Sequence, residues 1–196
     1  SIGETPTLEA SASGDIQYFL DADEVIKAEV KANGEYSATL SNGKILNVKV
    51  DDLPSPISIT GDWEVQFRKE DGYEATHNFT ELMDWKDHEN DDIKHYSGTA
   101  IYKKTFSIDK ALVKKGHKLF LDLGEVSIAA KVILNGEDLG VTWVAPYEVD
   151  ITKATKVGDN ELIIELTNLW TNRLLGDNAL PDNSGYDTKA KRMPEW

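Results

Sequence analysis

The 196-residue chain carries 21 Lys+Arg against 35 Asp+Glu, a formal net charge of -14, with 40% apolar residues, five Trp and no cysteine. Such an excess of carboxylates repels phosphate backbones and anionic lipid, so neither nucleic acid nor a membrane is an expected partner. Without cysteine there are no disulfides, thiol nucleophiles or thiolate metal sites, and the apolar content argues for a folded, soluble chain rather than a disordered one.

Ser1-Ile-Gly-Glu-Thr-Pro6 has neither the basic nor the apolar stretch of a signal peptide, so none is expected in this sequence. Ile16 to Val50 offers about four short strands, enough for a small satellite sheet. The clearest pair is Glu35–Leu40 and Lys44–Val50, joined through Ser41-Asn42-Gly43. Asn-Gly supplies the positive φ of a tight hairpin, and the dipeptide recurs at Asn33-Gly34 and Asn135-Gly136. Leu53-Pro-Ser-Pro56 cannot pair in a central strand and reads as a connector. The expected organisation is residues 1–55 as a small β module with its linker, then residues 56–196 as a β-sandwich with a C-terminal loop extension.

Within the second part the period is two. Trp63, Val65 and Phe67 alternate with polar neighbours, and Leu119, Leu121 and Leu123 alternate with Phe120 and Asp122. Val126, Ile128, Ala130, Val132 and Leu134 share one face, as do Leu162, Ile164 and Leu166 between Glu161 and Glu165. Strands read this way when one face is buried and the other wet, which predicts seven or eight antiparallel strands in a sandwich. Thr80–His88 and Asp109–Lys115 are expected as short connecting helices, the second capped by Asp109 and stopped by Gly116. From Leu169 to Trp196 the alternation stops. That stretch reads as a long loop, ordered by Trp170, Leu174, Leu175 and Leu180.

Catalytic and metal signatures are sparse. His77, His88, His95 and His117 lack any ligand spacing and read as solvated loop residues. Ser97-Gly98 lacks the glycine pattern of a nucleophile elbow. No turn cradles phosphate, so no cofactor is expected. Asp21-Ala-Asp23-Glu24 and Asp87-His-Glu-Asn-Asp-Asp92 carry oxygen ligands but miss the calcium-loop glycine and terminal Glu, and they read as solvated turns. Thirty-five carboxylates nominate no acid pair for glycoside hydrolysis.

Two C-terminal clusters carry more. Trp143-Val-Ala-Pro-Tyr147 sets two aromatics around a proline between strands. Asn168-Leu-Trp170-Thr-Asn172-Arg173-Leu-Leu-Gly-Asp177 gathers Trp, Asn, Arg and Asp after a well-patterned strand. Aromatic faces against pyranose C–H groups, with Asn, Arg and Asp bonding hydroxyls, are suited to gripping a sugar. The candidate carbohydrate-binding residues are therefore Trp143, Tyr147, Trp170, Asn172, Arg173 and Asp177. The competing reading makes the three aromatics plugs at the sandwich ends and the Arg173–Asp177 pair a loop staple.

The run Tyr96-Ser-Gly-Thr-Ala-Ile-Tyr-Lys-Lys-Thr-Phe106, then Leu121-Asp-Leu-Gly-Glu-Val126, Ala130-Lys-Val-Ile-Leu-Asn-Gly136, Pro146-Tyr147 and Gly158-Asp-Asn-Glu-Leu162, resembles the sugar-binding sandwich of glycoside hydrolase family 2. With Gly61-Asp-Trp-Glu-Val-Gln-Phe67, Thr80-Glu-Leu-Met-Asp-Trp85 and Asn168–Asp177 added, the pattern is similar to the C-terminal region of bacterial α-L-rhamnosidase-like proteins of family 106. The resemblance implies an all-β, galactose-binding-like jelly-roll sandwich. It also implies a longer parent whose catalytic acids lie on a separate domain, with this chain a non-catalytic fragment.

The implied partners are the catalytic domain of the parent chain and plant-type glycans. The implied location is periplasmic or extracellular in a bacterium. An autonomous carbohydrate-binding module is the alternative, and glycoside hydrolysis by the chain itself is the third.

Overall fold

The computed structural model describes residues 9–10, 16–20, 26–39, 43, 45–68 and 74–179. The chain divides into two compact units, Ser1–Ile57 and Ser58–Trp196.

The first unit holds β1 (Glu9–Ala10), β2 (Ile16–Leu20), β3 (Ile26–Val30), β4 (Gly34–Thr39) and β5 (Ile45–Val50). The expected hairpin is present, with Thr39 opposite Ile45 and Gly43 at φ +78°. Instead of one satellite sheet the described residues form two, ordered β1-β4-β5 and β2-β3. Asn33-Gly34 does not close a hairpin, because β3 pairs with β2 while β4 pairs with β1 and β5. Asn33 is recruited elsewhere: its Oδ1 accepts from the Leu53 N–H at 2.9 Å and its Nδ2 donates to the Leu53 carbonyl at 3.1 Å. An Asn side chain mimics a peptide edge, and here it ties the start of the Pro-Ser-Pro connector to the module.

The described residues of the second unit form eight strands: β6 (Trp63–Arg68), β7 (Glu74–Phe79), β8 (Thr99–Ile108), β9 (Phe120–Asp122), β10 (Ala129–Leu134), β11 (Glu137–Thr142), β12 (Glu148–Asp150) and β13 (Gly158–Thr167). Six form an antiparallel sheet in the order β11-β10-β13-β8-β6-β7, and β12 pairs with β9 in a second sheet. The all-β expectation holds. Period-two burial is clearest in β6, where Trp63, Val65 and Phe67 are buried, and in β10, where Ala130, Val132 and Leu134 are. Leu121 of β9 joins that core and Val149 of β12 packs on it, so the small sheet covers the same face as the large one.

One hairpin follows the sequence rule directly. Leu134 faces Glu137 across Asn135-Gly136, whose φ values of +53° and +83° are both left-handed, as a two-residue I′ turn requires.

The helical expectations are corrected in three places. Asp109–Lys115 forms turns rather than a helix: Asp109 Oδ1 takes the Ala111 N–H at 2.7 Å, an Asx turn that stops propagation, and Gly116 has φ +87°. Thr80–His88 contains only the 3-10 turn Trp85–Asp87, capped by Asp84, followed by α1 (Asp91–Lys94), capped by Asn90. The stretch read as a loop after Leu169 contains α2 (Thr171–Ala179), while Leu180 and the residues beyond it lie outside the described residues. Local helix propensity there is poor, with Asn, Gly and Asp in nine residues, so the helix rests on tertiary anchoring.

Three histidines are packed rather than solvated. His77 meets Phe67 edge-on at 5.9 Å, His88 stacks on Phe79 at 5.2 Å, and His95 ends α1 beneath Gly176 of α2.

Candidate functional site

The six-stranded sheet is wider than the two strands that face it, and its inner surface is left partly open. Cross-strand register places Tyr102 opposite Ile164 and Ala130 opposite Leu166, so these side chains, with Trp63, make one apolar floor. Over this floor lies a half-open cavity of about 580 Å³. Three connections wall it: Leu82–Lys86 after β7, Glu125–Ile128 before β10, and Asn168–Asn172 at the start of α2.

Each wall has a local reason for its place. Trp85 is pinned by an aromatic triad with Phe67 (5.4 Å, 70°) and Tyr96 (5.5 Å, 74°), with Phe67 and Tyr96 themselves 4.9 Å apart at 77°. These edge-to-face contacts each add about 0.5–1.5 kcal/mol beyond burial. The Trp85 indole N–H also donates to the Tyr102 hydroxyl. The α2 wall is stapled to the turn before β8. Asn168 Oδ1 accepts from the Gly98 N–H at 2.9 Å, and its Nδ2 donates to the Tyr96 carbonyl at 2.9 Å. Ser97 Oγ accepts from the Arg173 N–H and donates to the Leu169 carbonyl, each at 3.0 Å. Gly176 lets α2 lie close, since a Cβ there would sit 2.7 Å from His95 Cβ and Cγ.

Leu82, Met83 and Leu169 are exposed on the cavity walls, and among the described residues three charged side chains line it. Lys86 Nζ pairs with Asp84 at 2.8 Å, and Glu125 also lines the cavity and acts electrostatically on Lys86. The hydrogen bond from Lys86 holds the Asp84 carboxyl below its ordinary range. A general acid needs the opposite shift, so Asp84 is ill suited to protonate a leaving group. Burial pushes the Tyr102 hydroxyl up to about 12, against the pull of the Trp85 N–H. It is a neutral hydrogen-bonding group at physiological pH.

Of the six residues singled out by sequence, only Asn172 lines this cavity. Trp170 lies between two lining residues and is 77% exposed. Arg173 Nε bonds Asp177 Oδ1 at 3.0 Å, an i,i+4 ion pair along α2. Trp143 and Tyr147 belong to the β11–β12 connection, which contains a cis Ala145–Pro146 bond. Trp143 is 72% exposed, so neither it nor Trp170 is a plug buried in the sandwich end. Sequence reasoning missed the walls at Leu82–Lys86 and Glu125–Ile128. Their available signal was the unexplained Leu82-Met83 pair beside a tryptophan in a segment too polar for a core helix.

Asp87–Asp92 is a capped turn in which Asn90 Oδ1 takes the Asp92 N–H at 2.9 Å, while Asp21-Ala-Asp23-Glu24 lies outside the described residues. Among the described residues no three His, Asp or Glu side chains converge as a metal site.

A model of the glycosyl hydrolase 2 galactose-binding domain-like family matches residues 63–193. A putative β-glucuronidase from Formosa agariphila is 43% identical over 166 residues, covering 82% of this chain and 14% of that protein. The rhamnosidase from Novosphingobium sp. PP1Y shares the fold with a TM-score of 0.60 at 24% identity, over 92% of this chain and 22% of that one. The chain thus spans less than a quarter of either relative.

Proposed function

The chain belongs to the glycosyl hydrolase 2 galactose-binding domain-like family, and from that membership we propose that it is the ancillary, non-catalytic sandwich of a larger glycoside hydrolase. In this reading it supports the catalytic domain and contacts the glycan at the cavity beside Asn172. The observation that carries the contact is the cavity itself: an apolar floor and a volume of about 580 Å³, inside the range of small-ligand sites. Asn172 supplies a donor and acceptor at its wall, and the exposed Trp170 ring adjoins it. Arg173 and Asp177 hold α2 rather than the sugar.

The non-catalytic reading is supported by the lowered Asp84 carboxyl and by the small share of each relative that the chain spans. Two parent activities are open. Sequence identity favours a β-glucuronide substrate, and the breadth of the fold match favours the rhamnoside expected from the sequence pattern. Assays of the full-length enzyme on aryl rhamnosides and aryl β-glucuronides separate them. Plant-type polymers cannot cross a membrane, so a parent acting on them would work outside the cytoplasm.

Calorimetry on the purified chain with an oligosaccharide panel tests the contact. Binding at millimolar Kd or tighter is expected, weakened about tenfold by Asn172→Ala through the lost hydrogen bonds. Silence across the panel would leave a scaffold role alone.

A further inference from the structure

We propose that the cavity selects neutral pyranoses and excludes uronates. The inference rests on the reading that this cavity meets glycan, and it concerns which glycan can enter. Among the described residues the charged side chains lining the cavity are Asp84, Lys86 and Glu125, two carboxylates against one ammonium. Asp84 already engages that ammonium at 2.8 Å. Asp87 and Glu125 act on Lys86 as well, so its charge is more than offset.

Among the described residues no arginine lines the cavity, and Arg173, next to Asn172 in sequence, has its Nε on Asp177 at 3.0 Å. A uronate carboxylate is best recognised by a guanidinium fork or an unengaged ammonium, and the described residues lining the cavity offer neither. Its alternative, to lie against Ile164 and Leu166, would strip a full charge of water without a partner. A neutral ring meets no such cost. Its C–H face can rest on the apolar floor, and Asn172, Ser127 and Thr171 offer uncharged groups to its hydroxyls. The whole chain reinforces the bias, because a net charge of -14 repels an anionic sugar at a distance.

Matched pairs test this on the intact chain, by calorimetry or NMR titration. Methyl β-D-glucoside and methyl β-D-glucuronide differ only at C6, as do methyl β-D-galactoside and methyl β-D-galacturonide. The neutral member of each pair that binds is expected to be at least about tenfold tighter at low salt, with the gap narrowing in about 0.5 M NaCl as the repulsion is screened. Glu125→Gln, at an exposed position, is expected to raise uronide affinity and shrink the gap. Equal or tighter binding of the uronides would overturn the selection while leaving the glycan contact intact. Binding by no member of either pair, nor by any other glycan tested, would overturn both.

Discussion

Replacing Asn160 by Ala is expected to cost the sandwich about 3 kcal/mol of unfolding free energy, among the largest effects available from a single polar side chain. Among the described residues Asn160 is the one buried residue with a polar or charged side chain outside the aromatic set, with 0% exposure, and its amide is fully used. Nδ2 donates to the carbonyls of Lys156 at 2.8 Å and Gly158 at 2.7 Å. Oδ1 accepts from the Lys156 N–H and from Asn135 Nδ2, each at 2.8 Å. Asn135 in turn donates to the Ala154 carbonyl at 2.8 Å and accepts from the Glu161 N–H at 3.1 Å.

Truncation would therefore strand several buried groups at once and loosen the turn joining β10 to β11. The urea midpoint of the purified chain reads the effect directly. Asn160→Asp should fare no better, since it removes both donors and buries a charge. A loss under about 1 kcal/mol would mean that water reaches these groups, contrary to the packing described.

Gly98→Ala is expected to damage both stability and the cavity. Gly98 has φ +145°, a conformation that side-chain-bearing residues rarely adopt, and a Cβ there would stand 2.9 Å from the Tyr96 hydroxyl oxygen. That hydroxyl lies within hydrogen-bond reach of the carbonyls of Arg68, at 2.8 Å, and Thr99, at 3.0 Å, so it cannot retreat freely. Strain and displacement together should cost about 2–4 kcal/mol. The Gly98 N–H also anchors Asn168, so the α2 wall should shift as well. Glycan affinity should then fall at least tenfold even where circular dichroism shows the chain folded. Stability loss with unchanged affinity would sever the proposed link between this turn and the cavity.

The strands were legible because their cause is local. Trp63, Val65 and Phe67 alternate with polar neighbours, and burial follows that alternation residue by residue. Asn135-Gly136 was legible for the same reason, being flanked on both sides by strands that pair with each other. Asn33-Gly34 carries the same dipeptide but does not close a hairpin, because its flanking strands pair elsewhere and its amide bonds Leu53. A dipeptide offers a turn conformation and cannot specify which strands will use it.

Helix α2 was invisible for a different reason. Its sequence Thr-Asn-Arg-Leu-Leu-Gly-Asp-Asn-Ala has little intrinsic preference for a helix. What holds it is remote in sequence, the turn before the neighbouring strand β8: Ser97 on the Arg173 N–H, Gly98 on Asn168, and His95 against Gly176. The cavity shares this origin. Sequence grouped Trp143 with Trp170 because aromatic residues near turns attract attention. The floor was instead hidden among residues that read as ordinary core, such as Ile164 and Leu166. Only the narrowness of the β9–β12 sheet leaves them partly uncovered, and strand-by-strand periodicity contains no measure of that width.

The most direct test of the central claim is residue-resolved mapping of glycan binding by ¹⁵N NMR titration of the intact chain. Amide shifts are expected to concentrate in Leu82–Lys86, Glu125–Ile128 and Asn168–Asn172, the three walls of the cavity. Shifts confined to Trp143–Tyr147, or none with any glycan, would contradict it.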